Sequence, residues 1–319
     1  MSLFRFLLLV LYISGGTFIQ GQELVQYREA KEGKIRLSNK LSIPYENAGY
    51  TLVLPSTKPV NGLVVFFNSD RDTLNKIFRF ANPKGLAVAY VTTGNSLEFL
   101  FEEKTYLQLE NYIYKILTDY NIPKTKLLYL GMSLAGTRAL KFSLFETSEK
   151  SKHQLIPKAL AICDAPLDFV RFWRECYKAK MLNLNKVAAN EGDWVTSYLE
   201  SNLGGTPDTE LENYIHYSPF CYTSMDQEHL KALEGTYVRA YTEPDVNWWI
   251  ENRGKDYYGM NSIDLAAWIN ALKYSGHKHA SLINTTNKGY HPNGRRHPHS
   301  WSIVNEKELI HWFSVIMKK

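Results

Sequence analysis

The sequence predicts an α/β fold, a mostly parallel sheet with helices on both faces. Three observations carry that expectation. Short apolar runs bounded by turn residues recur along the chain, as strands buried on both faces require. Between them lie stretches with apolar residues at helical spacing. From residue 61 onward the two patterns alternate instead of forming blocks, with one interruption.

The elements follow in order. "AGYTLVLPS" (48–56) reads as a strand ended by proline. "NGLVVFFNSD" (61–70) is a buried strand between turn residues, "TLNKIFRFAN" (73–82) has helical spacing, and "GLAVAYVTTGN" (85–95) is a second buried strand. Leu109, Ile113, Ile116, Leu117 and Tyr120 mark one face of a helix that Pro123 helps to close. "KLLYLGMS" is a third buried strand, with the helix "LAGTRALKFSLFE" directly after it. "KALAICDAP" (158–166), "TYVRAYTEPD" (236–245) and "HASLINTT" (279–286) are further strands. "SIDLAAWINALKYSG" (262–276) is a helix closed by glycine, and "NEKELIHWFSVIMKK" a terminal helix. Residues 167–217 break the rhythm and read as a helical, cap-like insertion over one end of the sheet.

Composition narrows the function classes. The chain has 319 residues, 45% hydrophobic and 22% charged, enough for one large α/β domain or two small ones. The net charge of +5 comes from 37 basic and 32 acidic residues, a mild excess. No long basic run and no interleaving of basic with aromatic residues marks a nucleic-acid groove. At the N-terminus Arg5 precedes an apolar run (6–13), small residues follow, and a cut fits after Gly21, the layout of a cleavable signal peptide. The run is short for a membrane span, and no later stretch reads as one. The expected organisation is therefore a signal peptide (1–21), a polar leader that is poorly ordered or an irregular arm (22–47), and a folded domain (48–319), secreted or periplasmic. The three cysteines, an odd number, argue against a disulfide framework. Cys176 and Cys221 could pair in an oxidising compartment, whereas Cys163 reads as a small buried residue.

Chemistry concentrates at Gly131-Met132-Ser133-Leu134-Ala135-Gly136, where a buried strand turns into a helix. A serine on such a turn is lifted above the sheet edge, and the next N–H, that of Leu134, sits at a helix N-terminus where it can stabilise an oxyanion. The competing reading is a serine serving as helix N-cap. The strict G-x-S-x-G pattern has glycine in fifth place; here Ala135 stands there and Gly136 follows.

This strand–turn–helix, with "TEPD" after a later strand and "HPHSW" before the last helix, resembles the α/β-hydrolase superfamily of serine esterases and peptidases over about residues 48–319. It also looks like exported bacterial hydrolases, without fixing a substrate. The resemblance implies the α/β-hydrolase fold, the order Ser, acid, His, and no cofactor or metal. It places the acid in the loop of "VRAYTEPDV", where Asp245 fits the register better than Glu243. It places the base between the last strand and last helix, where His299 matches best, ahead of His297 and His291. Of the other histidines, His153, His216 and His229 precede the acid, His277 and His279 flank the start of the last strand, and His311 lies in the terminal helix. The second oxyanion donor falls in "FFNSDRDT", at Ser69 or Asp70 with help from Asn68, although this loop lacks the glycine-rich form common in esterases.

The implied reaction is ester hydrolysis through an acyl-enzyme. Trp248, Trp249, Tyr257 and Tyr258 follow the expected acid and "FVRFWRECY" (169–177) opens the insertion. These aromatics either wall a pocket for a sugar or aryl group or pack the extra loops onto the body. Arg295 and Arg296 either favour an anionic substrate or are solvated. The expected partner is a small-molecule or carbohydrate ester. Three other readings stay open: a peptidase or acyltransferase using the same residues, a binding protein without turnover, and a metal site built on "HKH" and "HPH", which lacks nearby carboxylates at ligand spacing.

Overall fold

A computed structural model describes residues 23–36, 42–67 and 74–319. The expected signal peptide and Asn68, Ser69 and Asp70 lie outside the described residues. In chain order the elements are β1 (Glu23–Glu29), β2 (Lys34–Arg36), β3 (Ser42–Pro44), β4 (Ala48–Leu54), β5 (Gly62–Phe66), α1 (Leu74–Ala81), β6 (Leu86–Thr92), α2 (Glu103–Asp119), β7 (Leu127–Met132), α3 (Leu134–Phe145) and β8 (Ala159–Cys163). Then come α4 (Phe169–Leu182), α5 (Lys186–Leu203), α6 (Leu211–Tyr217), β9 (Tyr237–Thr242), α7 (Val246–Arg253), α8 (Ser262–Tyr274), β10 (Ala280–Asn284) and α9 (Glu306–Ile316).

Eight strands form one sheet in the order β1-β4-β6-β5-β7-β8-β9-β10. The six from β6 to β10 run parallel, while β4 and β1 add an antiparallel edge. The strands of the parallel part are apolar throughout because helices cover both faces. Leu63, Val65, Tyr129, Leu160 and Ile162 point to one face and meet α2, α3 and α8. Val64, Val88, Leu128 and Leu130 point to the other and meet α1 and α9 through Ile77, Phe78, Leu309 and Phe313. Each such fully buried aliphatic or aromatic side chain contributes about 1.5–3 kcal/mol.

Two expectations are corrected here. Part of the polar leader is a regular strand: β1 pairs residue for residue with β4, from Glu23 opposite Leu54 to Glu29 opposite Ala48. Val25 and Tyr27 pack on the core, and Gly49 lets β1 approach, since a Cβ there would lie 2.1 Å from the Tyr27 carbonyl oxygen. Cys176 and Cys221 are buried free thiols rather than a pair. Cys221 Sγ instead lies 3.5 Å from Asp168 Oδ1.

The insertion at 167–217 is helical, made of α4, α5 and α6 with its own small core. Phe169, Val170, Trp173, Val195, Leu199 and Tyr214 fill it, so most aromatics of "FVRFWRECY" hold the insertion together. Arg171 anchors it to the body. Its guanidinium pairs with the buried Asp264 of α8 through Nε and, at 2.8 Å, Nη2, and also reaches the Tyr258 carbonyl at 2.9 Å. No helix among the described residues is long and apolar enough to cross a membrane.

Candidate active site

Parallel strands deliver their following residues to one edge of the sheet, and the site forms there. Ser133 stands between β7 and α3 with φ 53° and ψ −131°, a conformation that costs a non-glycine residue about 1–3 kcal/mol. Its neighbours enforce the turn. A Cβ on Gly131 would lie 2.1 Å from the Ala135 carbonyl oxygen, and one on Gly136 would lie 2.8 Å from Ala165 Cβ. The close packing of helix against strand therefore falls on Gly136, and Ala135, buried beside it, fits as alanine. The turn is pinned by a 2.8 Å hydrogen bond from Ser133 N to the Cys163 carbonyl at the end of β8. Leu134 opens α3, so its N–H is among the first-turn donors without an intrahelical acceptor.

Asp164 follows β8 directly, also at positive φ (43°). Cys163 pairs with Met132 across the sheet, so the residues after them, Asp164 and Ser133, emerge side by side. Asp164 Oδ2 lies 2.6 Å from His299 Nδ1, and Thr242 Oγ1 donates to its Oδ1 at 3.4 Å. A carboxylate accepts, so His299 carries its proton on Nδ1 and leaves Nε2 bare. Burial disfavours the imidazolium, but the hydrogen bond to Asp164 and its charge outweigh that, and His299 titrates above the ordinary histidine range.

The carboxylate expected from the sequence is not this one. Asp245 accepts from Trp248 N at 3.2 Å, capping α7, and from Arg296 Nη2 at 2.7 Å. Glu243 is also engaged, by Thr285 Oγ1, Lys288 N, Gly289 N and Arg296. Burial alone would push its pKa up, yet these donors and the Arg296 charge hold it below the usual carboxylate range. Asp245 and Glu243 thus fasten the loop that leads to His299, and Asp164 is the acid that meets it. Arg296 is spent on these two carboxylates, while Arg295 is exposed.

Hydrogen bonds set the histidines of this loop apart. His297 Nδ1 lies 2.8 Å from the His299 carbonyl, which can only accept, and Arg253 Nη2 lies 3.2 Å from Nε2. Burial, with the nearby charges of His299, Arg253 and His291 against a raising hydrogen bond to the His299 carbonyl, pushes His297 down to about 4. It is neutral at pH 7, donating from Nδ1 and accepting at Nε2, and has no free lone pair for a substrate proton. His291 is exposed beside it. His277 and His279 precede β10 and so lie at the opposite edge of the sheet. No group of three or more histidine, cysteine, aspartate or glutamate side chains placed to hold a metal occurs among the described residues.

Ser133, Asp164, His297 and His299 line one cleft of about 670 Å³ under the insertion. Phe172, Trp194 and Trp249 supply aromatic walls, and Asn190, Glu191, Asp193, Arg253, Lys255 and Asn261 polar ones. Lys255 is held at 2.9 Å by the buried Glu175. The two tryptophans after Asp245 part ways. The Trp249 ring borders the cleft, 6.5 Å from His299, while Trp248 supports His297 at 4.8 Å.

This architecture is the α/β-hydrolase fold: a largely parallel sheet, a serine on a strained turn, and an acid and a histidine after later strands at the same edge. No protein-family model and no curated protein matches the sequence. Solved structures do. The chain is similar to an acylaminoacyl peptidase of Pyrococcus horikoshii (TM-score 0.54, 14% identity, covering 94% of this chain and 43% of that one). It is also similar to esterase B of Lactobacillus rhamnosis (TM-score 0.54, 12% identity, covering 94% and 89%). An arylesterase matches too (TM-score 0.53, 16% identity, covering 93% and 84%). The chain thus spans less than half of the peptidase and most of each esterase.

Proposed function

We propose that the protein is an exported serine hydrolase that cleaves a carboxylic ester, with Ser133 as nucleophile, His299 as base and Asp164 as its orienting acid. The observation that carries this reading is the 2.6 Å contact of Asp164 with His299 Nδ1, in the cleft that Ser133 borders from a strained turn. A serine hydroxyl is a weak nucleophile near neutral pH and needs such a pair. His299 Nε2 takes the proton of Ser133 as Oγ attacks the ester carbonyl. The charge that develops on the carbonyl oxygen meets the Leu134 N–H and a second donor, for which the sequence offers Ser69 or Asp70. His299 then protonates the leaving alcohol, and water releases the acyl group by the reverse sequence.

The mixed walls of the cleft favour an acylated carbohydrate or aryl ester. Trp194 and Trp249 offer faces for a ring, and Asn190, Asp193 and Asn261 offer partners for hydroxyl groups. Export rests on the N-terminal pattern of Arg5, the apolar run and the small residues before Gly21. A panel of 4-nitrophenyl acyl esters, acetylated and feruloylated sugars and peptide anilides tests the reading. Ester turnover that Ser133→Ala abolishes is expected. Turnover of anilides alone would make the protein a peptidase, and no turnover of any class by folded protein would remove the enzymatic reading.

A further inference from the structure

A second cavity, of about 770 Å³, lies behind the serine-bearing helix and shares no lining residue with the catalytic cleft. Phe101, Tyr106, Lys141, Phe145, Tyr217 and His229 border it. Lys141 belongs to α3, two turns beyond Ser133, and its side chain is buried. Its Nζ has no hydrogen-bond partner among the described residues. It lies 4.9 Å from the ring centre of Phe101, 5.2 Å from Phe169 and 5.6 Å from Tyr217. Burial lowers this amine to about 7, opposed by the charge of Glu98.

The neighbouring Arg138 shows what a purely structural cation does on this helix. Its guanidinium is satisfied by the carbonyls of Phe67, Ser96 and Glu98, at 3.0, 2.6 and 2.6 Å. Lys141 has nothing comparable among the described residues. Ring faces attract a cation but accept none of its N–H bonds well, and buried polar groups left without acceptors are rare. An anionic acceptor would supply the bonds that Nζ lacks, and the surrounding rings suit an apolar body attached to it. Three carboxylates also line the cavity: Glu103, paired with Lys150 at 3.1 Å, and the exposed Glu212 and Asp226, whose repulsion of an anion the Lys141 contact has to outweigh.

We propose that this cavity is a ligand site for a small carboxylate with an aromatic or aliphatic body, its carboxylate meeting Lys141 Nζ and its body lying against Phe101 and Tyr217. Nζ itself is sealed from solvent, so the ligand reaches it by turning aside the half-buried ring of Tyr217, which ends α6. The site stands independently of the reaction proposed for Ser133.

The test is a fluorescence and calorimetric titration with 2-naphthoate, with 2-naphthylmethanol as the uncharged counterpart. Wild type and Lys141→Met are compared after circular dichroism shows that both fold. Naphthoate should bind wild type saturably and Lys141→Met at least tenfold more weakly, while the alcohol should not distinguish them. Tyr217→Ser, which keeps the lysine and removes a wall, should weaken naphthoate several-fold and serves should Lys141→Met fail to fold. Equal naphthoate binding by wild type and the variants would overturn the proposal, as would the absence of saturable binding to wild type. Binding in the catalytic cleft would give the first of these results.

Discussion

Replacing Asp164 by asparagine removes one charge and leaves the shape of the side chain intact. Asp164 Oδ2 sits 2.6 Å from His299 Nδ1, and Thr242 Oγ1 fixes the other oxygen. An amide can turn its NH2 toward Nδ1. The imidazole proton then moves to Nε2, the atom that has to accept from Ser133. The expected loss in kcat is about 10⁴-fold, the scale on which amidating the acid of a Ser-His-Asp set acts. That is about 5.5 kcal/mol of barrier. The pH profile supplies a second signature. His299 titrates high because the hydrogen bond and charge of Asp164 outweigh its burial, and only its neutral form is a base. In wild type kcat/KM should rise with pH through a value above the ordinary histidine range, and in Asp164→Asn that limb should move to lower pH. Asp245→Asn is the control. Asparagine still caps α7 at Trp248, and Arg296 keeps Glu243, so only one partly exposed ion pair is lost. Its kcat should stay within about twofold and its stability within about 1 kcal/mol of wild type. Steady-state kinetics from pH 5 to 9 on the three proteins decides. Full activity in Asp164→Asn together with a thousandfold loss in Asp245→Asn would refute the assignment.

Three further outcomes are expected. Gly131→Ala should lose more than about 3 kcal/mol in denaturant unfolding, because its Cβ would fall 2.1 Å from the Ala135 carbonyl oxygen, whereas Ala135→Gly should cost only about 0.5–1 kcal/mol and leave kcat unchanged. A gain of activity in Ala135→Gly would show that alanine impairs the turn. Asp264→Ala strands the buried Arg171 guanidinium and frees the N–H groups of Leu167 and Asp168, so thermal unfolding should show a loss of about 3–5 kcal/mol; a change under 1 kcal/mol would mean that the insertion is held elsewhere. Glu146 is buried with Glu110, both hydrogen-bonded to Ser151 Oγ, and burial pushes it up to about 7 from an ordinary 4.5, against the donors Leu155 N and Ser151. The folded protein then binds more protons than the unfolded chain between those values, so this group removes stability as pH rises through that window. Glu146→Gln should stabilise the protein by about 1–3 kcal/mol more at pH 8 than at pH 5 in urea titrations, and an equal effect at both would contradict the assignment.

The sheet from β4 to β10, the helices that alternate with its strands and the helical insertion were legible because each strand is an apolar run bounded by turn residues, whereas α7, in the stretch after Asp245, was not. The serine turn was legible for the same reason, with Gly131 and Gly136 marking where strand and helix touch. β1 was not, because an edge strand half exposed to water reads as polar: Gln26 and Arg28 interrupt Val25 and Tyr27. The carboxylate that meets His299 follows β8, whereas Asp245 follows β9, one strand further along the sheet. "CDAP" ends the strand hydrogen-bonded to the serine strand, and an aspartate at the carboxyl end of that strand was the available signal. No spacing rule could show that Arg296, fifty-one residues on, occupies Asp245. The aromatics divide likewise by tertiary context: Phe169 and Trp173 fill the insertion, and Trp249 alone of the tryptophan pair lines the cleft.

The proposed reaction requires an activated Ser133, and one measurement addresses it directly. The protein is treated with a fluorophosphonate probe, with and without prior acidification below the His299 titration, and the modified peptide is mapped by mass spectrometry. Labelling confined to Ser133, lost in Ser133→Ala and suppressed in acid and in Asp164→Asn, is the predicted result. Folded protein that does not label, or that labels at another residue, would contradict it.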